Sequence, residues 1–493
     1  MLPRIFGIET EFGCLVRDPT LGRPDDVVER LKECAFTQAR LGLIDLHARD
    51  YAFEPARCGG FLINGARLYV DEVGHHEEYA TPECCELRDL VAHEKAGQRI
   101  LQRLIEQMGL AGRVSFHNNA IDHFAGHTFG GHENYLVTLE DGLRNDALQL
   151  LLPFLVTRQI FAGAGRVGGH RITRREHRRN GPLLAEHQAE GVWVSDFYTV
   201  EIDPSATYQL SQRADHITYT SSPRVRFSRA IINPKRGARA SPNDLRRLHL
   251  LFGEANMMEY ALALKVGTTC LALDLVEQRT VGREVLLKDV LGTLHSVSRD
   301  ASLRWLVVRQ DGRTISAVDV QRLYLAQAQR CLRGRDPDTD WILDEWEAVL
   351  DQLERDPMQL ADRLDWVAKR RLLELYMHAL QDEGVGWGSD MLVSLDLEYH
   401  DIDPAHGLYY ALEDCGAVRR LVDDTHIELA TRLPPSNTRA CARGRIVAEL
   451  LRRGARTYAI DWDMIYLDQR RRLALRDPFG PHEEEMATFL RLL

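Results

Sequence analysis

Alternating apolar and polar positions near the start of the chain predict a strand over Arg4–Cys14 (RIFGIETEFGC). Glu9 and Glu11 then share one face, because strand side chains two apart point the same way. A second strand is expected over Phe61–Asp71 (FLINGARLYVD). There the Asn64-Gly65 pair interrupts the pattern as a turn or bulge, and Arg67, Tyr69 and Asp71 share a face. His132–Thr138 reads as a third strand, with Tyr208–Arg213 and Arg229–Asn233 as further ones. Helical spacing predicts a helix over Leu87–Met108 and two helices within Ser241–Glu277, opened by Ser241 as cap and Pro242 behind it. It also predicts a helical flank from Val318 to Glu383, with loops at Gly334–Asp340 and near Pro357. A boundary near Arg420 separates a large unit, residues 1–420, from a small C-terminal one, residues 421–493. The latter should hold a short helix, Pro434-Pro435, a helix from Asn437 to Arg453 ended by Gly454, and strand-like Thr457–Leu467.

Composition narrows the class. With 44% apolar and 27% charged residues among 493, the chain matches an ordinary soluble globular protein. A net charge of -11 argues against chain-wide attraction to nucleic acid or anionic membrane. The apolar stretch Leu150–Val156 is far too short to span a bilayer, and Glu9 follows the start too closely for a signal-peptide apolar region. Nine scattered cysteines without a C-x-x-C pair read as free thiols. A cytoplasmic location is expected.

The chemistry-bearing residues cluster. Two carboxylates at i and i+2 on a strand can hold a hard cation against phosphate oxygens. Glu9 and Glu11 have that spacing, although an isolated pair is more often solvated. Asp71–Glu83 (DEVGHHEEYATPE) adds five carboxylates and two histidines, which read as an acidic loop or as an open active-site edge. Asp71 at a strand end could take a proton from an amine or orient a water. Arg213, Lys235, Arg236 and His249 are candidate partners for phosphates. His123 and His127 have helical metal-pair spacing but lie among loop residues, and no phosphate-loop motif is present. Arg166–Arg179 (RVGGHRITRREHRR) carries six arginines and two histidines against Glu176, as a solvated insertion or a patch for an acidic partner.

The order of these segments resembles the Pup ligase/depupylase family, relatives of the glutamine-synthetase-like carboxylate-amine ligases. The matching segments include GIETEFG (Gly7–Gly13), NGARLYVD (Asn64–Asp71), EYATPE (Glu78–Glu83), HENYL (His132–Leu136), SQRAD (Ser211–Asp215), RRLH (Arg246–His249), DWVAKR (Asp365–Arg370) and LDLEYHDI (Leu395–Ile402). The resemblance implies an α+β fold: a twisted, mainly antiparallel sheet cradling ATP, flanking helices and a small C-terminal domain. It implies Mg²⁺ held by Glu9, Glu11 and Glu78, and a nucleotide site lined by Tyr69, His132, Arg213, Lys235 and His249. Asp71 would be the catalytic aspartate.

The reaction implied is ATP-dependent: a glutamate carboxyl of a small Pup-like or ubiquitin-like modifier is activated as an acyl phosphate and joined to a lysine of a target protein. A depupylase or deamidase acting on the same bond is the second reading. Third is an ATP or phosphate-ester hydrolase derived from the fold, and fourth a non-enzymatic binding protein using the Arg166–Arg179 patch. The short stretch between Gly13 and Asn64, together with EYATPEC and VAHEKAGQRIL, leans to the ligases, whereas GRVG and RAD at Arg213–Asp215 lean to the depupylases. The chain departs from the family pattern at Lys235, where an arginine is usual, and in an insertion from about His170 to Asp203.

Overall fold

The computed structural model describes residues 4–49, 54–71, 75–124, 126–138, 145–174, 198–222, 229–233, 246–468 and 471–491. Lys235, Arg236, the Ser241-Pro242 helix start and Arg175–Arg179 of the basic run lie outside them.

A ten-stranded sheet forms the centre. Its first seven strands in chain order are β1 (Phe6–Val16), β2 (Gly42–Ile44), β3 (Gly59–Leu62), β4 (Arg67–Asp71), β5 (His76–Ala80), β6 (Val114–His117) and β7 (Gly131–Val137). Short pairs lying off it include β8 (Arg166–Val167) with β11 (Tyr208–Gln209), and β9 (His170–Arg174) with β10 (Tyr198–Ile202). β12 (Tyr219–Ser221), β13 (Ala230–Asn233) and β14 (Arg246–Leu250) complete the sheet, in the order β12-β13-β14-β7-β1-β5-β4-β3-β2, with β6 also paired to β1. Every pair in it is antiparallel except β12 with β13, so the expected mainly antiparallel α+β architecture is observed.

The alternation along β1 explains why one face closes and the other stays open. Phe6, Ile8 and Phe12 are buried in the apolar core, and Thr10 between them donates to Glu94 at 2.8 Å. Glu94 belongs to the helix Leu87–Gln107, which lies close against this face: a Cβ on its Gly97 would stand 2.4 Å from the Tyr79 ring. The helix Glu259–Glu277 packs in the same core and is buried along nearly its whole length, as its all-round apolar composition requires. Glu9 and Glu11 point the other way.

The Phe61–Asp71 segment is a hairpin, β3 turning into β4. Gly65 takes the left-handed φ of 81° that the turn needs, and the Asn64 side chain accepts from the Ala66 amide at 3.1 Å. Two expectations are corrected. In place of two helices over Ser241–Glu277, Arg246–Leu250 is strand β14; its alternation (Leu248 and Leu250 inward, Arg247 and His249 outward) has period two, and the helix begins at Glu259. Of Tyr208–Arg213 only Tyr208-Gln209 is strand. The helical flank comprises Ala317–Leu332, Pro337–Arg355 and Asp365–Ala379; Asp336 caps the second, so the expected loop is shorter.

In the C-terminal region the helix Ala440–Arg453 ends at Gly454 with φ 66°, and Thr457–Leu467 divides into strands Ala459–Ile460 and Met464–Tyr466. Ile446, Leu450, Ile465 and Phe489 cluster with Leu43 of β2 and Phe61 of β3, apart from the main core. The helix Asp424–Ala430 packs instead through Ile427 into the main core. Among the described residues no helix is long and apolar enough to cross a membrane, and all nine cysteines are free.

Candidate active site

Register brings the predicted residues to one face. Glu9 is paired with His132 of β7, Glu11 with Glu78 of β5, and Glu78 in turn with Tyr69 of β4. Directly paired residues share a face, and so do their neighbours two along. Asp71, paired with His76, and His249, paired with Asn134, therefore join the same face. Separated by up to 240 positions in the chain, as Glu9 and His249 are, these side chains meet because five adjacent strands keep phase.

Around Glu9 the environment is basic. Arg247 Nη2 and Asn134 Nδ2 each donate to Glu9 Oε1 at 3.0 Å, and Arg247 Nε donates to Asn134 Oδ1 at 2.5 Å. His249 Nε2 and His132 Nδ1 lie 3.2 and 3.5 Å from Glu9 Oε2. Burial opposes ionisation of Glu9, but Arg247 and His249 outweigh it and hold the carboxyl well below its ordinary pKa. Burial drives His249 down to about 3 despite Glu9, so the ring is a neutral donor set for a metal or a nucleotide.

Around Glu11 the environment is acidic. Glu11, Asp71 and Glu78 offer oxygens within 4.8 Å of one another. Burial works against Glu11 as well, yet His76, 2.9 Å away, lowers it to about 2. Glu78 goes the opposite way: burial, then the charges of Glu9, Glu11 and Asp71, push it well above the usual carboxylate range, and it accepts a hydrogen bond from the Tyr69 hydroxyl. Converging carboxylates that cannot all ionise are stabilised by a bound hard cation with oxygen ligands.

A Cβ at Gly130 would meet Glu11 Oε1 at 2.5 Å and His132 Nε2 at 2.7 Å, so only glycine leaves this cradle open. Arg213 approaches from the Ser211–Asp215 loop. Its Nη1 donates to the Leu251 carbonyl at 2.7 Å, Glu11 and Glu254 act on its charge, and its buried Nε has no hydrogen-bond partner. A phosphate oxygen would suit that orphaned donor. Next to Glu9 opens a cavity of about 400 Å³, lined among others by Asn134, Arg247, Arg439, Trp462 and Arg476. Its volume suits a nucleotide.

The structure thus gathers Glu9, Glu11, Tyr69, Asp71, Glu78, His132 and His249, with Arg213 beside them; Lys235 cannot be compared. Sequence reasoning missed Asn134, Arg247 and His76. The first two stand two residues from His132 and His249, so period-two alternation carries the signal. It also missed the cavity wall from Arg439, Trp462 and Arg476, which no local pattern links to β1. The basic-patch reading is corrected in part. Arg166 and His170 are buried, because Arg166 packs against the Gln212 carbonyl and His170, while His170 Nδ1 lies 3.0 Å from His216. Arg171 remains on the surface.

A family model described as Pup-ligase protein matches residues 4–466. The chain belongs to the Pup-ligase family. Similar members include a Pup–protein ligase of Pseudarthrobacter chlorophenolicus, 35% identical over 99% of this chain and 98% of that one. A depupylase of Acidothermus cellulolyticus is 38% identical over 83% of this chain and 75% of that one. A crystal structure of the prokaryotic ubiquitin-like protein Pup with its ligase PafA superposes with a TM-score of 0.79 at 29% identity, covering 99% of this chain and 92% of that one. PafA in complex with ADP gives 0.72 at 30% identity over 95% and 93%. The Pup-ligase family thus accounts for the whole sheet and its helical flank.

Proposed function

We propose that the chain is an ATP-dependent ligase that joins the side-chain carboxyl of a glutamate on a small Pup-like modifier to lysine amines of target proteins in the cytoplasm. The observation that carries this is the pairing of a carboxylate cluster, Glu11–Asp71–Glu78, with a basic one around Glu9, where Glu9, Asn134 and Arg247 line a nucleotide-sized cavity. Full-length similarity to ligases that bind Pup and ADP supports it. We further propose that residues 421–493 are a small C-terminal domain forming one wall of the nucleotide cavity.

In this reading Glu9, Glu11 and Glu78 are the Mg²⁺ ligands, and Tyr69 orients Glu78 through their hydrogen bond. His132 and His249 are the imidazole partners of the nucleotide-metal site, and Arg213 presents its unpartnered Nε to phosphate oxygen. Arg247 and Asn134 position Glu9. ATP and Mg²⁺ supply one thing: transfer of the terminal phosphoryl group to the glutamate carboxyl, leaving ADP and a mixed anhydride. The lysine amine then attacks that carbonyl carbon, the C–N bond forms, and phosphate leaves as the C–O bond breaks. Asp71 accepts the proton that the amine loses.

The depupylase relative motivates a second reading, cleavage of the same bond by water, but it matches over less of both chains than the ligases do. Incubation with either a free modifier and a lysine acceptor or a preformed conjugate separates the two. Conjugate formation supports ligation; cleavage without formation overturns it.

A further inference from the structure

Further along β1, at the level of Gly13, lies another convergence of metal-ligating atoms that shares no residue with the catalytic cluster. His117, at the end of β6, is paired with Gly13 of β1 and bridged to Asp401. Asp401 follows the helix Asp390–Tyr399, which carries Glu398 near its end. One ligand atom from each of His117, Asp401 and Glu398 falls within 4.8 Å of the others. His117 and Asp401 are 1% and 0% exposed, and His117 Nε2 and Asp401 Oδ2, 3.8 Å apart, are both buried without a hydrogen-bond partner. Two orphaned polar atoms aimed at one point each carry a desolvation cost that a shared ligand would remove.

Their other atoms are already held. The His117 ring hydrogen-bonds the Gly13 backbone, which with Nε2 unpartnered assigns that bond to Nδ1–H and leaves the Nε2 lone pair facing inward. Asp401 Oδ1 accepts from the Asp403 amide at 2.9 Å, leaving Oδ2 to point at the histidine. Histidine fixed through one nitrogen and carboxylate fixed through one oxygen is how outer partners orient metal ligands. Ligand bonds of about 2.0–2.2 Å would bring the two atoms a few tenths of an ångström closer. Arg17 occupies the mouth instead, with Nη2 3.4 Å from Glu398 Oε1 and 4.0 Å from Asp401 Oδ2. Its side chain is 36% exposed and can withdraw into solvent.

We propose that His117, Asp401 and Glu398 form a binding site for a divalent transition ion of the zinc type, with water as the fourth ligand. One imidazole nitrogen and two carboxylates suit zinc; Mg²⁺ prefers oxygen alone. The ion would clamp β6 to the segment that carries His400. His400 lies 2.9 Å from Asn118 Oδ1, 2.7 Å from Lys369 Nζ and 2.9 Å from Gln212 Nε2, next to Arg213. The clamp therefore braces the loop that presents Arg213.

The test uses the full chain, stripped with a chelator and re-equilibrated in excess Mg²⁺, then titrated with ZnCl₂ against a chromophoric chelator. One equivalent of Zn²⁺ should bind and raise the melting temperature. His117→Ala and Glu398→Gln should each weaken binding at least ~10-fold. Arg17→Ala, which removes the competing cation from a partly exposed position, should tighten it. Glu9→Gln should leave it unchanged, which separates this site from Glu9–His132–His249. Absence of Zn²⁺ binding in Mg²⁺, or binding that is lost in Glu9→Gln and indifferent to Glu398→Gln and Arg17→Ala, would overturn the proposal.

Discussion

Glu11 and Glu78 stand directly opposite each other across β1 and β5, both buried, with one carboxyl held far below its ordinary pKa and the other far above it. Like charges facing across a sheet are destabilising. The arrangement makes sense as a cation cradle, and it fixes the sign of a pH effect. Burial and the neighbouring carboxylates disfavour the charge of Glu78, so in the metal-free chain it keeps its proton to higher pH than an ordinary carboxyl does. Binding Mg²⁺ must expel that proton, so affinity rises with pH. The increase in melting temperature caused by Mg²⁺ should grow as pH rises above the ordinary carboxylate range. In Glu78→Gln it should be small and flat. A wild-type increment independent of pH would remove the argument.

Asp71→Asn should reduce conjugation by about 10²–10⁴-fold, the usual range for losing a general base, while ATP binding changes less than about tenfold. Single-turnover mass analysis of conjugate alongside nucleotide titration checks both. Equal loss of binding and conjugation would make Asp71 a metal ligand, which its place in the Glu11–Glu78 cluster also permits.

Arg247 fixes Glu9 and Asn134 and lines the cavity. Arg247→Ala should raise KM for ATP about tenfold with a smaller change in kcat, and Arg247→Lys should recover only part of this, since lysine lacks the planar fork that reaches Glu9 and Asn134 together. Full rescue by lysine would reduce the role to charge alone.

How much of this was legible in advance follows from range. Period-two alternation put Glu9 with Glu11 and Tyr69 with Asp71, because each pair sits on one strand whose pattern is local, whereas the role of His132 comes from the family resemblance. Arg246–Leu250 is a strand where helical spacing predicts a helix, although Leu248 and Leu250 alternate with Arg247 and His249. Five residues are too few to override the strongly helical run that follows. Asn134, Arg247 and Trp462 become functional candidates only once β7, β14 and the C-terminal elements are placed around β1, which depends on pairings between distant segments. The family resemblance supplied that long-range information for most of the site.

Glu83 at the end of EYATPE joins the C-terminal helix to the cradle. It accepts from Arg439 Nε at 2.7 Å and from Arg443, whose Nη2 also donates to the Gly65 carbonyl at 2.8 Å. Burial disfavours its charge, but Arg443 and Arg439 win and lower its pKa to about 2. Its contribution is therefore present above the ordinary carboxylate pKa and is lost as pH falls towards about 2. Glu83→Ala should cost about 3–5 kcal/mol, measured by denaturant unfolding at pH 7, because the buried Arg443 guanidinium and the half-buried Arg439 one lose their partner. A cost below about 1 kcal/mol would show that the ion pair does not anchor this region.

The central claim is ATP-driven isopeptide formation, and mass spectrometry of one reaction tests it most directly. The chain is mixed with ATP, Mg²⁺, a Pup-like modifier ending in glutamate and a lysine-bearing acceptor. A conjugate heavier than the acceptor by the modifier less one water, formed with ADP and phosphate and absent in Asp71→Asn, is the expected result. Steady ATP hydrolysis with no conjugate, or conjugate formed equally by Asp71→Asn, would contradict it.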